Sequence, residues 1–132
     1  MVDLVIFACV HSAGRSQMAA AWFNLLADPQ KARAIAAGTA PAAQVHPNVQ
    51  AAMAEVGAAL AEMQPRKLTE EMAETAVLLV TMGCGEACPV VPGLERLDWP
   101  LADPQSLPLA EVRPIRDEIH DLVAALVGLR GW

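Results

Sequence analysis

Val2-Asp3-Leu4-Val5-Ile6-Phe7-Ala8-Cys9-Val10-His11-Ser12-Ala13-Gly14-Arg15-Ser16-Gln17-Met18 changes its hydrophobic period halfway along. Val2 to Ala8 is nearly continuously apolar, the pattern of a strand covered on both faces in a parallel sheet. From Ser16 the period becomes helical, with Met18, Trp22 and Leu25 or Leu26 on one face, until Asp28-Pro29 stops it. Strand, loop and helix therefore follow one another, and the loop runs from Cys9 to Arg15. Ala13 and Gly14 are small enough for close approach. Backbone N–H groups of such a loop, and of the helix behind it, converge on one concavity that favours negative charge. Arg15 adds a planar fork for two oxygens. The same positive field favours the thiolate of Cys9, a nucleophile aimed at the central atom of a tetrahedral oxyanion. Val10, His11, Ser12, Ala13, Gly14, Arg15 and Ser16 are thus the candidate oxyanion-binding residues, and Cys9 with Arg15 the first candidate catalytic pair. Ser16 is suited either to donate to the sulfur or to cap the helix.

The rest of the chain alternates strand and helix. Arg33 to Ala37 is a second strand candidate, ended by Gly38-Thr39-Ala40-Pro41. His46-Pro47 opens a helix carrying Val49, Met53 and Val56, with Gly57 at its end. Ala58 to Lys67 has no decided form, and Thr69 is a fitting N-cap for a short helix through Glu74. Ala76 to Thr81 is a further bare apolar strand, so that Cys84 follows its carboxyl end, the edge at which open parallel sheets gather their ligand sites. Leu94 to Leu97 is a fourth strand candidate. From about Leu107 a long amphipathic helix turns Val112, Ile115, Ile119, Leu122, Val123 and Leu126 inward, with Pro114 expected to kink it or to begin a second helical segment. One domain over residues 1–132, an α/β three-layer sandwich, is the expected architecture.

Composition narrows the function. The chain has 132 residues, 55% of them hydrophobic and 18% charged, enough for one buried core without staples. A net charge of −6 disfavours nucleic acid and anionic membrane as partners, so an anion site must be built locally. No apolar run approaches the ~20 residues of a spanning helix. Met1-Val2-Asp3-Leu4 lacks the basic start of a signal peptide, which makes the cytoplasm the expected compartment. Three cysteines, Cys9, Cys84 and Cys88, do not make a disulfide framework and read as redox or metal chemistry. Cys84-x3-Cys88 lies in a Gly-containing segment able to bend into a local disulfide. Zinc is disfavoured because no further ligand stands at a suitable spacing, so no metal is expected. Trivalent arsenic on three thiolates remains an alternative. Asp98 and Asp103 each put a carboxylate on a late loop, where one could act as general acid. Between these two the sequence does not choose. The His11 side chain is expected to point away from the anion, and His46 and His120 to be surface or helix-packing residues.

Cys9-x5-Arg15-Ser16 after an amino-terminal strand, with Asp103-Pro104 late in the chain, resembles the low-molecular-weight protein tyrosine phosphatase superfamily. Within it, Arg15-Ser16-Gln17-Met18, Gly38-Thr39, Val80-Thr81-Met82 with the cysteines that follow, and Arg116-Asp117-Glu118-Ile119 are similar to the thiol-dependent arsenate reductases. The resemblance implies a four-stranded parallel sheet with helices on both faces, and Asp103 rather than Asp98 as general acid. It implies arsenate as substrate, with phosphate or sulfate as competing anions, and no tightly bound cofactor. Catalysis would rest on Cys9, Arg15, Asp103, Cys84 and Cys88, with a disulfide passed from Cys9–Cys84 to Cys84–Cys88 and reduced by thioredoxin or a low-molecular-weight thiol such as mycothiol or glutathione. A cytoplasmic monomer serving arsenic detoxification is the corresponding expectation. This chain departs from the family at Ser12, where asparagine is usual, and in the three residues between Cys84 and Cys88, where the thioredoxin-coupled branch has six. The rival functions are a phosphatase using Cys9, Arg15 and Asp103 alone, and a non-enzymatic protein binding an oxyanion or arsenite. Gln105 after Asp103-Pro104, in place of an aromatic residue to stack on a phosphotyrosine ring, disfavours the phosphatase, although residual phosphatase activity on a small aryl phosphate is still expected from the shared loop.

Overall fold

The computed structural model describes residues 2–58, 64–83 and 92–132. The segment carrying Cys84 and Cys88 lies outside the described residues, as do residues 59–63 of the stretch from Ala58 to Lys67 whose form the sequence left open. Strand β1 (Asp3–Cys9) leads to helix α1 (Arg15–Leu26), β2 (Ala32–Gly38), α2 (Pro47–Ala54), α3 (Glu70–Thr75), β3 (Leu78–Thr81), β4 (Glu95–Asp98) and α4 (Leu109–Arg130). The four strands form one parallel sheet in the order β2-β1-β3-β4, so the chain leaves β1 in opposite directions on its two sides. The carboxyl end of β1 is therefore the switch point of the sheet, where a crevice opens between diverging connections. Cys9 is the last residue of β1 and stands opposite Gly38, the last of β2.

Helices cover the two faces. Val5, Phe7 and Cys9 point to one face, where they pack with Met18 and Phe23 of α1, Val49 and Met53 of α2, and Val112, Ile115, Ile119 and Val123 of α4. Leu4, Ile6 and Ala8 point to the other, under Leu68, Met72 and Ala76. That alternation within a continuously apolar strand is what burial on both sides requires. At the far edge, β4 carries Glu95, Arg96 and Asp98, charges that discourage pairing with another chain. Thr69 caps α3 as expected, its Oγ1 accepting from Met72 N at 3.2 Å. Among the described residues no helix is long and apolar enough to cross a membrane.

Three sequence expectations need correction. Leu25 and Leu26 are exposed, at 57% and 40%, whereas Ala19, Ala20 and Phe23 hold the buried face with Met18. Alanine lets α1 approach the sheet closely, and its last turn overshoots the core. Val56 lies beyond the end of α2 and is also exposed. Helix α4 runs through Pro114 as a single element, so no second segment begins there. The ring forfeits only the N–H that would have reached Ala110.

Helices α2 and α4 are joined by charge. Arg116 Nη1 donates to Ala52 O at 2.9 Å and to Glu55 Oε1 at 2.8 Å, and Arg113 Nη2 donates to Glu55 Oε2 at 2.7 Å. Hydrogen bonds from Arg113 and then Arg116 hold the Glu55 carboxyl at about 2, from an ordinary 4.5. A carboxyl depressed in the folded state stabilises fully above its unfolded pKa, and that stabilisation disappears as pH falls through the folded value. Glu55→Gln is therefore expected to flatten the loss of thermal stability between about pH 4.5 and about pH 2. Thermal midpoints recorded across that window check this, and an unchanged slope would contradict it.

Candidate active site

The loop between β1 and α1 is held by its carbonyl groups. Val10 O accepts from Ala40 N at 2.8 Å, His11 O from Ala42 N at 2.9 Å, and Ala13 O from His46 N at 2.9 Å. Ser12 O accepts from Gln17 Nε2 at 2.7 Å. In a trans peptide the N–H of the next residue points opposite to the C=O. With four successive carbonyls engaged outward, the N–H groups of His11, Ser12, Ala13 and Gly14 turn toward the hollow of the loop. Helix α1 adds its own start. Gly14 is its N-cap with no side-chain cap, and no acidic residue occupies the first turn. The orphan N–H groups and the positive end of the helix dipole are thus left for an external anion.

Cys9 lies buried at the base of this loop, its Sγ 3.0 Å from Ser16 Oγ. Ser16 is the second residue of α1 and makes no cap, which resolves its two sequence readings in favour of the contact with sulfur. Arg15 opens the same helix. Its Nη1 donates to Leu101 O at 3.2 Å, and its Nη2 stands 3.8 Å from Asp103 Oδ2. Arg15 is nearly buried while the Asp103 side chain is 46% exposed, so the carboxylate stands at the mouth and the guanidinium beneath it. Asp98 is engaged elsewhere: Thr81 Oγ1 donates to its Oδ1 at 2.7 Å, tying it to the sheet edge. Of the two aspartates, Asp103 is the one that stands beside Arg15.

Two glycines give the hollow its shape. A Cβ on Gly38 would fall 2.5 Å from Val10 O, 2.7 Å from Cys9 O and 2.9 Å from Ser12 N, all backbone atoms. Gly83 has φ +81°, and a Cβ there would stand 2.6 Å from Arg15 Nη1. Both positions let one backbone lie directly against another part of the site.

Ser12, the family departure, is wholly buried with φ 53°, a left-handed conformation that non-glycine residues seldom take. Gln17, equally buried, supplies the brace. Its Nε2 reaches Ser12 O, Ser12 Oγ at 3.4 Å and Gln64 O at 3.2 Å, while Arg66 N approaches Ser12 Oγ at 3.5 Å. Gln17 Oε1 is buried with no donor among the described residues. Gln17 was quoted in the sequence motif but given no role, because Gln64 stands 47 positions away. His46 is a half-buried residue at the start of α2, in keeping with the packing role expected of it. It is the N-cap residue of α2, and its ring would stand 3.4 Å from a Cβ on Gly14. Burial pushes its pKa down, with His11 adding to the shift and Asp103 opposing it. His120 instead packs edge-on against Trp22, at 4.7 Å between ring centres.

A buried thiol at the base of a loop whose carbonyls are turned away, with a guanidinium beneath a carboxylate at the mouth, is an arrangement suited to a cysteine nucleophile acting on an oxyanion. The chain belongs to the low molecular weight phosphotyrosine protein phosphatase family, whose model matches residues 4–128. It is 34% identical over 124 residues to a putative arsenate reductase of Halobacterium salinarum, covering 91% of this chain and 87% of that protein. Among solved structures it is similar to a thioredoxin-dependent arsenate reductase of Corynebacterium glutamicum, with a TM-score of 0.79 and 34% identity. That likeness covers 95% of this chain, which spans only 60% of the length of the other. An arsenate reductase of Archaeoglobus fulgidus matches with a TM-score of 0.79 and 32% identity, over 94% of this chain and 98% of that one.

The close approach at Gly38 generates a test. Gly38→Ala must displace the backbone of the cysteine loop and is expected to cost about 2 kcal/mol, a fall of roughly 5–10 °C in thermal midpoint. Gly128→Ala, in a helix with nothing within 4 Å of the added Cβ, is the control and is expected to keep or raise the midpoint. Equal midpoints for the two variants would contradict the packing argument.

Proposed function

We propose that the chain is an arsenate reductase that carries two electrons from its own thiols to arsenic. The observation that carries this reading is that Cys9 contacts Ser16 and the neighbouring Arg15 stands beside Asp103, in a chain similar over nine-tenths of its length to a protein described as a putative arsenate reductase. Arsenate binds on the N–H groups of the Cys9–Ser16 loop and on the Arg15 guanidinium. The Cys9 thiolate attacks arsenic, and Asp103 protonates the departing hydroxide to water. Ser16 supports the thiolate by donating its hydroxyl proton toward Sγ.

Reduction needs a second sulfur. Cys84 follows Gly83, which lies against Arg15, by one position in sequence. Its thiolate attacks Cys9 Sγ, the electron pair of the S–As bond stays on arsenic, and arsenite leaves with a Cys9–Cys84 disulfide formed. Cys88 then attacks Cys84, restoring the Cys9 thiolate and leaving Cys84–Cys88. Two thiols are oxidised and arsenic(V) becomes arsenic(III). Thioredoxin or a low-molecular-weight thiol completes the cycle, and the thioredoxin dependence of the Corynebacterium protein favours the former. Arsenic detoxification follows as the role, in the cytoplasm. A phosphatase reading would use the same loop and leave Cys84 and Cys88 without a task.

The decisive comparison is arsenate-dependent NADPH oxidation with thioredoxin and its reductase, set against mycothiol and glutathione systems. Wild-type protein is expected to turn over many times with at least one of these, and Cys84→Ser to give no sustained arsenite release. Cys88→Ser is expected to complete a single turnover but not to couple to thioredoxin. Multiple turnover by Cys84→Ser at the wild-type rate would overturn the relay.

A further inference from the structure

We infer that Asn48, the second residue of α2, is a positioning residue for the Asp103 carboxylate. Asp103 sits on the connection from β4 to α4, where Gln105 N donates to its Oδ1 at 2.9 Å and Leu107 N closes the following turn on Pro104 O at 3.1 Å. The turn contains Ser106 at φ 64°, a left-handed residue that does not hold itself there without support. Asn48 supplies it. Its Nδ2 donates to Pro104 O at 2.8 Å and to Leu107 O at 3.0 Å, using both amide hydrogens on the two ends of the turn. Its Oδ1 is occupied by Val49 N at 2.9 Å, which fixes the side chain's orientation.

The element that bears Asn48 is itself tied to the cysteine loop. His46 N donates to Ala13 O, and the His46 ring and Pro104 both lie against Gly14. Asn48 therefore couples the position of the oxyanion loop to that of the loop bearing Asp103. Arg15, through Leu101 O and Asp103, closes the same arrangement from below. General-acid transfer depends on the donor oxygen standing within hydrogen-bond reach of the departing hydroxide, and displacement by about 1 Å can cost up to a hundredfold in rate. Binding of the oxyanion rests on the Cys9–Ser16 loop, whose carbonyls are held by other residues, while the hydrogen bonds donated by Asn48 go to Pro104 and Leu107. Loss of the Asn48 amide is thus expected to affect the chemical step and to spare affinity.

This assignment rests on the arsenate-reductase reading with Asp103 as acid, and the test separates the two. Fully reduced protein in excess over arsenate is followed for arsenite formation in a single turnover, for wild type, Asn48→Ala, Asp103→Asn and the double variant. Affinity for inorganic phosphate and the thermal midpoint are measured alongside. Asn48→Ala is expected to slow arsenite formation about tenfold with phosphate affinity within about twofold of wild type, and to cause no further loss in the Asp103→Asn background. Should Asn48→Ala fold poorly, Asn48→Asp retains the acceptor for Val49 and the helix-start preference and is judged by the same rates. Wild-type rates in the Asn48 variants, or an equal loss with and without Asp103, would overturn the assignment alone. No arsenite from wild type, or an Asp103→Asn protein as fast as wild type, would overturn the reading beneath it and the assignment with it.

Discussion

The site depends on the outward hydrogen bonding of four consecutive carbonyls, Val10, His11, Ser12 and Ala13. A backbone loop has as many acceptors as donors, and it favours an anion only if the acceptors are turned away. Here three of the four are taken by N–H groups between β2 and α2, and one by the Gln17 side chain. The fold makes this possible because Cys9 and Gly38 end adjacent strands at the same level, which brings the connection after β2 alongside the loop after β1. Gly38 has no side chain to separate them. A net-negative protein can thus have a hollow suited to an anion, since the field there comes from local peptide dipoles and one buried guanidinium rather than from overall charge.

The division of labour follows from that geometry. Sulfur and guanidinium are buried and stiffly placed, at the end of a strand and the start of a helix, whereas Asp103 rides on a connection between elements. Asp103, the proposed acid, has contacts from outside its own loop: Arg15 stands beside its carboxylate, and Asn48 binds the turn that follows it.

Much of this was legible in the residues. The run from Val2 to Ala8 announces a doubly covered strand because parallel strands bury both faces, and the shift of period after Arg15 places the cysteine loop between strand and helix. Four strands and four helices appear within a few residues of their expected limits. What stayed hidden were features whose partners are far away in sequence. Asp98 and Asp103 look alike until Thr81 is found to bind the first. Nothing near Gln17 announces Gln64, and nothing near Asn48 announces Pro104 and Leu107. Leu25 and Leu26 misled for a related reason: amphipathic spacing marks a face but not where the underlying sheet ends.

The central claim is that the chain supplies the electrons that reduce arsenic. Fully reduced protein, freed of external thiol, can be mixed with one equivalent of arsenate, the arsenite released and the thiols remaining then being counted. The account predicts about one arsenite per chain, loss of two of the three thiols, and a Cys84–Cys88 disulfide in the peptide map. Three intact thiols with no arsenite formed would contradict it.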